Sequence, residues 1–365
     1  MPAHAQATGP TPPAPPGPAT AEEIMNLLTG VERAGILRAG IELRVFDALA
    51  DAPLTAAAAA AAIGSDARAT EVLLEALAAL ALLEARVPDE PGGRTRYALT
   101  DTSRRFLVTG ASRYIGGLAK VYTCDYVLDS VKDLAGAVRH GRTLLEDDAE
   151  KPGHPYWREF AEGITATSRA TSRHVCALLE EWAGPRPTLD VLDVACGNGI
   201  QSLTLARRFP RARVHALDWP NVLEVTRRTA EEFGVADRVA YLPGDMFEVA
   251  PGGPYDLVLV SHVLHFFDVP TSVRLLSRLA ATLRPGGRLL VNDFLVVSRD
   301  PLADPASRVF SAQMLAISKG GHTYSLEELR ATLTASGLAF ESLHSLPGMP
   351  VHTVLARAAA DGSGR

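Results

Sequence analysis

Apolar positions recur at helical intervals through "EEIMNLLTGVERAGILRAGIELRVFDALA", with Gly35 and Gly40 as interruptions. "PLTAAAAAAAIG" and "SDARATEVLLEALAALALLEA" predict two further helices, with Thr55 and Ser65 as N-caps and Gly64 closing the first. "LLEARVPDEPGGRTRYALT" alternates apolar and polar positions on either side of Pro-Gly-Gly, the pattern of a β-hairpin. Three helices and a hairpin make a winged-helix pattern over 21–105. Residues 106–183 read as helices joined by loops and gather Tyr122, Tyr126, Tyr156, Trp157 and Phe160. That concentration fits either ordinary helix packing or a lid over a flat apolar ligand. From Thr188 the texture changes. "LDVLDVA", "ARVHALD", "RVAYLPGD", "YDLVLVSHVLH" and "GRLLVNDFLV" are strand-like runs, and helical patterns separate most of them. Such alternation predicts a doubly wound α/β sheet, mostly parallel, over 184–357. The closing "FESLHSLPGMPVHTVLARA" holds two strands with no helix between, hence an antiparallel hairpin at one sheet edge. The ends, 1–20 and 358–365, read as disordered tails, the first for its Pro/Ala-rich composition.

Composition narrows the partners. With 47% hydrophobic and 21% charged residues, the 365-residue chain can build real cores. A net charge of −6 argues against a sequence-independent grip on nucleic acid or an anionic membrane. The second winged helix carries Arg68 but also Glu71, Glu75 and Glu84, a poor groove reader, so packing or dimerisation is the expected role. Cys124, Cys176 and Cys196 include no CxxC, which speaks against a disulfide framework or a thiolate zinc site. Neither a secretory signal nor a long uncharged apolar stretch is visible, and a cytoplasmic location is expected.

Candidate chemistry lies where ligands bind in such sheets, beyond the carboxyl ends of the strands. Asp193 ends the first strand, with Gly197 and Gly199 in the following turn; Asp218 ends the second strand and Asp245 follows the third. NAD is the first candidate ligand, but Gly197-Asn198-Gly199-Ile200-Gln201-Ser202 lacks the third glycine of that fingerprint. A carboxylate beside the turn disfavours a pyrophosphate and suits a cation. S-adenosylmethionine carries an ammonium and a sulfonium and no phosphate. An acid after the second strand can accept ribose hydroxyls, and Asp245 with Met246 could meet an adenine.

"LDVACGNG", "LDWPNVLE", "PGDMF", "LHFFD" and "LRPGGRLLVNDF", in this order and spacing, resemble the small-molecule O-methyltransferase family of plant caffeate and hydroxyindole enzymes and their bacterial relatives. The resemblance runs from about residue 24 to 357. It implies a class I methyltransferase sheet, an N-terminal winged-helix dimerisation domain, a homodimer, and S-adenosyl-L-methionine as cofactor. Residue by residue, Gly197 and Gly199 match the turn against the cofactor, Asp218 the ribose carboxylate, and Asp245 with Met246 the adenine contacts. Asp193 and Trp219 flank these positions, and Ser261 falls where relatives often have a lysine. Ala195 replaces a usual glycine, tolerable if its φ is negative. His265 matches the catalytic base and Asp293 the acid that orients it, one methylene shorter than the usual glutamate. The implied acceptor is a small aromatic, with Tyr122, Tyr126, Trp157, Phe160 and Phe266 as its expected contacts.

Two departures stand out. Phe266 and Phe267 replace an acid and a tryptophan, and Thr323 stands where a second acid would hold the histidine. N- or C-methylation, a cofactor-sensing regulator and an NAD oxidoreductase stay open on these grounds. A metal is not expected: strand periodicity would place His262 and His265 on opposite faces, leaving His262 a packed strand residue, and HExxH is absent. No third ligand is evident in the sequence; Asp268 and His322 are only candidates.

Overall fold

The computed structural model describes residues 20–90, 92–146, 149, 151–300, 302–346 and 348–359. The two expected tails, apart from their inner ends, and part of the acidic run at 146–150 lie outside the described residues.

The chain opens with α1 (Ala21–Leu28), α2 (Gly30–Glu42) and α3 (Val45–Ala48). Thr20 closes a capping box with Glu23 at the start of α1. The breaks fall at Thr29 and at Leu43–Arg44, not at the two glycines. Helix α2 runs through both, because Gly40 is a packing position: a Cβ there would lie 3.1 Å from Leu77 and 3.2 Å from Phe46. Arg44 ends the helix by turning left-handed, at φ 58°. Next come β1 (Leu54–Thr55), α4 (Ala56–Ile63), α5 (Ala67–Ala79), β2 (Leu83–Arg86) and β3 (Arg96–Leu99). Thr55 caps α4 as expected and Gly64 closes it at φ 68°. Asp66, not Ser65, caps α5; the Ser65 hydroxyl bonds to Thr70 instead. The hairpin forms with β1 added, in the order β1-β3-β2. Leu74 and Leu77 of α5 are fully buried against Phe46 and Tyr97, worth about 2 kcal/mol each.

The middle is helical: α6 (Asp101–Phe106), α7 (Gly117–Tyr122), α8 (Asp125–Lys132), α9 (Leu134–His140), α10 (Pro155–Gly163) and α11 (Thr165–Ala183). Then β4 (Leu189–Val194), α12 (Ile200–Arg208), β5 (Ala212–Asp218), α13 (Pro220–Glu232), β6 (Val239–Pro243), β7 (Tyr255–Ser261), α14 (Val269–Ala280), β8 (Leu283–Phe294), α15 (Pro305–Ile317), α16 (Leu326–Ala335), β9 (Leu338–Ser345) and β10 (Val351–Ala358) complete the chain. The large sheet has the order β6-β5-β4-β7-β8-β10-β9. Strands β4 to β8 pair in parallel, and β10 runs antiparallel between β8 and β9. Both faces are covered, which is why the central strands read as unbroken apolar runs. The strand order reverses between β4 and β7, and a crevice opens beyond their carboxyl ends.

Candidate active site

That crevice is a cavity of about 460 Å³. Seven of the eight expected cofactor residues line it: Asp193, Gly197, Asp218, Trp219, Asp245, Met246 and Ser261. Gly199 does not. At φ 70° it forms the N-cap of α12, and a Cβ would collide with Thr226 of α13, so it serves close helix packing. Gly197, at φ 57°, has open space where a Cβ would stand, so a ligand can approach its backbone. The expectation for Ala195 fails: its φ is +51°, the conformation a glycine would hold without strain.

The acids are held firmly. Asp218 accepts the Gly197 N–H at 2.8 Å and the Trp219 N–H at 2.7 Å. Asp193 accepts the Ser202 hydroxyl at 2.5 Å. Burial pushes the Asp193 carboxyl up to about 7, with the Ser202 bond opposing, and Asp218 up to about 6. Among the described residues neither is bonded to a basic side chain. Two such carboxyls in a cavity wall favour a cationic ligand and would repel a pyrophosphate. Asp245 accepts the Phe247 N–H at 2.8 Å, and Met246, Phe247 and Phe267 form an apolar wall beside it. S-adenosylmethionine fits this donor set: acids for its positive groups and ribose, an apolar slot for its adenine. Gln201, which holds Ser261 Oγ at 2.6 Å, and Asn198, which ties the turn to Ala161 and Ser168, also line the cavity. Neither carried a signal in the sequence beyond lying in the glycine turn.

The histidines come next along the crevice. Strand β7 stops at Ser261, so His265 does not end a strand; it sits in a 3₁₀ turn, Leu264–Phe266. His262 takes φ 57° while its N–H still bonds to Asn292 of β8. That turn overrides strand alternation. His262 lines the cavity, and both histidines address one carboxylate: His265 Nδ1 lies 2.5 Å and His262 Nδ1 3.9 Å from Asp293 Oδ1. The expected opposite-face placement is therefore wrong. Burial would raise Asp293, but the His265 imidazole outweighs it and keeps this carboxyl below the usual range. Burial pushes His262 down to about 4, so it is neutral at pH 7. Asp268 and His322 are engaged elsewhere, Asp268 capping α14 and His322 paired with Glu328.

His265 is only 3% exposed and does not line the cavity itself. Its ring packs on Phe266 at 4.6 Å and edge-on to Phe310 at 4.9 Å; Phe310 stacks on Phe294. Phe266 reaches the cavity wall and meets Trp157 edge-on at 5.0 Å. Trp157, Phe160 and Phe266 therefore line the cavity. Tyr122 and Tyr126 do not: Tyr122 is half exposed, and Tyr126 gives its hydroxyl to the Ile317 carbonyl and packs on Tyr156. Thr323 does not hold His265, since its hydroxyl bonds to the Ser307 carbonyl. Phe294, Phe310 and His262 were not legible as site residues.

Known proteins resemble the chain over most of its length. Residues 125–339 match the O-methyltransferase domain and residues 25–109 the O-methyltransferase dimerisation domain. The chain is 30% identical over 339 residues to the mitomycin biosynthesis 6-O-methyltransferase of Streptomyces lavendulae, covering 90% of this chain and 92% of that one. It is 30% identical over 347 residues to acetylserotonin O-methyltransferase of Mus musculus molossinus, covering 91% and 87%. The solved structure of a mitomycin 7-O-methyltransferase superposes with a TM-score of 0.77 at 29% identity, over 93% of this chain and 97% of that one. The chain belongs to the S-adenosylmethionine-dependent small-molecule O-methyltransferase family.

Proposed function

We propose that this enzyme methylates a hydroxyl of a small aromatic metabolite, with His265 as general base and Asp293 as the group that orients it. The observation that carries this reading is the 2.5 Å contact between His265 Nδ1 and Asp293 Oδ1. With Nδ1–H donated to the carboxylate, Nε2 keeps its lone pair, and no described residue is bonded to it. A phenol with pKa about 10 can pass its proton to such an imidazole as attack proceeds. When bound, the cofactor supplies an electrophilic methyl group on its sulfonium. Asp193, Asp218 and Asp245 bind it; Trp157, Phe160 and Phe266 offer an apolar wall for a flat acceptor that reaches His265 past Phe266. The named relatives, acting on acetylserotonin and in mitomycin biosynthesis, support an acceptor of this size.

The matched dimerisation domain supports a homodimer. So do the exposed apolar side chains Ile24, Met25, Leu27, Leu28 and Val31 at the start of the chain. No helix among the described residues is long and apolar enough to cross a membrane.

The test is His265→Ala. S-adenosylhomocysteine binding should persist in calorimetry, while turnover of a phenolic acceptor with labelled methyl donor should fall roughly 10²–10⁴-fold. Turnover within about threefold of wild type would remove the base and leave positioning to carry the reaction.

A further inference from the structure

We infer that His262, His265 and Asp293 form a binding site for a divalent transition metal ion such as Zn²⁺, a site that competes with the base function of His265. The ligand atoms of these three residues all lie within 4.8 Å of one another. Two imidazoles and one carboxylate are a donor set suited to Zn²⁺, Ni²⁺ or Fe²⁺. Ligands about 2.0–2.2 Å from a tetrahedral metal stand roughly 3.3–3.5 Å apart. The observed contacts to Asp293 Oδ1, 2.5 Å from His265 Nδ1 and 3.9 Å from His262 Nδ1, bracket that spacing. The two imidazoles lie within 4.8 Å of each other, so bringing the three together asks them to close by up to about 1.5 Å. His262 and Asp293 are otherwise lightly committed. Beyond His265, Asp293 accepts only the Phe294 N–H among the described residues, and the other ring nitrogen of His262 meets the Asn292 side chain at 3.4 Å. The Thr353 hydroxyl bonds to Asn292 Oδ1 and can donate or accept, so that amide can turn to receive an Nε2–H from a metal-bound His262. His262 lines the cavity, giving the ion an entry path and an open fourth position.

The consequence follows from the proton count. In the free enzyme His265 carries its proton on Nδ1 and offers a lone pair at Nε2. A metal bound at Nδ1 takes that lone pair, and the proton moves to Nε2. No proton need be lost, but the lone pair that would receive the acceptor's proton is gone. The site would therefore inhibit the enzyme without touching the cofactor. This consequence rests on the base reading; the metal binding itself does not.

The experiment uses the full chain and Zn²⁺ alone. Calorimetry in chelator-free buffer should show a site of one equivalent per chain, and Co²⁺ should give the visible absorption of a four-coordinate site. His262→Asn, chosen because asparagine tolerates the left-handed backbone at this position, should weaken that binding at least about tenfold. Asp293→Asn should do the same, with folding of both variants checked by thermal unfolding. Equal Zn²⁺ binding by wild type and both folded variants overturns the site. Turnover separates the two readings. Zn²⁺ bound at this site with turnover unchanged would keep the site and discard His265 as base. No binding would discard the site and leave the base role standing on His265→Ala.

Discussion

Asp293→Asn tests the positioning role with the smallest change in shape. Its carboxylate and the His265 ring are each 3% exposed, and they meet at 2.5 Å. A net hydrogen bond to a charged group contributes about 1.5–3 kcal/mol. At about 1.36 kcal/mol per factor of ten, its loss should lower kcat roughly 10–100-fold, less than removing the imidazole. Asparagine keeps an acceptor oxygen, so the ring is loosened rather than freed. Asp293→Glu sharpens the test, because glutamate is the family's usual residue. The extra methylene has no slack to occupy: the 2.5 Å contact is already short, and Phe266 and Phe310 close the other side of the ring. This variant should lose activity too. The assay is steady-state kinetics with both substrates varied, alongside calorimetry with S-adenosylhomocysteine. A positioning role moves kcat and leaves cofactor affinity within about twofold. Wild-type kcat in Asp293→Asn, beside an inactive His265→Ala, would refute the reasoning.

Four further outcomes follow from the same geometry. The buried acids Asp193 and Asp218, raised to about 7 and 6, hold protons at a pH where the unfolded chain has lost them. Free-enzyme stability from these groups is therefore fullest below about pH 4 and declines as pH rises to about 7, while affinity for the cationic cofactor rises over that window; Tm with and without cofactor at several pH values checks both signs, and Asp218→Ala should weaken S-adenosylhomocysteine at least about tenfold. Gly321→Ala should depress kcat, because a Cβ there would be driven into the His265 carbonyl and the Ser318 hydroxyl and would push the histidine turn away; unchanged kinetics would show that the turn can yield. Ala195→Gly should stabilise the fold slightly, by no more than about 1 kcal/mol and seen as a small rise in Tm, as relief of a left-handed alanine outweighs the added freedom of the unfolded glycine; a fall would show that the alanine methyl's packing dominates.

The parts legible in the sequence share one property: their signal is local. Strands buried on both faces show as apolar runs whatever packs on them, so the sheet and the acids at its carboxyl edge, Asp218 and Asp245, could be placed without knowing their neighbours. His265 and Asp293 are different. Only the family resemblance paired them, and the contact joins a residue of the 3₁₀ turn after β7 to one at the end of β8. Where reasoning from periodicity was extended past a strand's end, it failed. Opposite faces for His262 and His265 require the strand to persist, but it stops at Ser261, and His262 adopts φ 57° with no glycine or asparagine to announce it. The aromatics divide for a related reason. Composition collected Tyr122, Tyr126, Trp157 and Phe160 into one segment, yet only the last two face the cavity, because the Tyr126 hydroxyl is taken by Ile317 at the end of α15. That same helix supplies Phe310, which shields His265. One long-range packing choice thus withdraws a tyrosine from the expected acceptor wall and adds a phenylalanine to the enclosure of His265. Replacing the family's acid and tryptophan with Phe266 and Phe267 works in the same direction. It makes the approach to His265 more apolar and leaves the ring dependent on Asp293 for its orientation, so the short carboxylate contact has to do alone what two acids share in the family pattern.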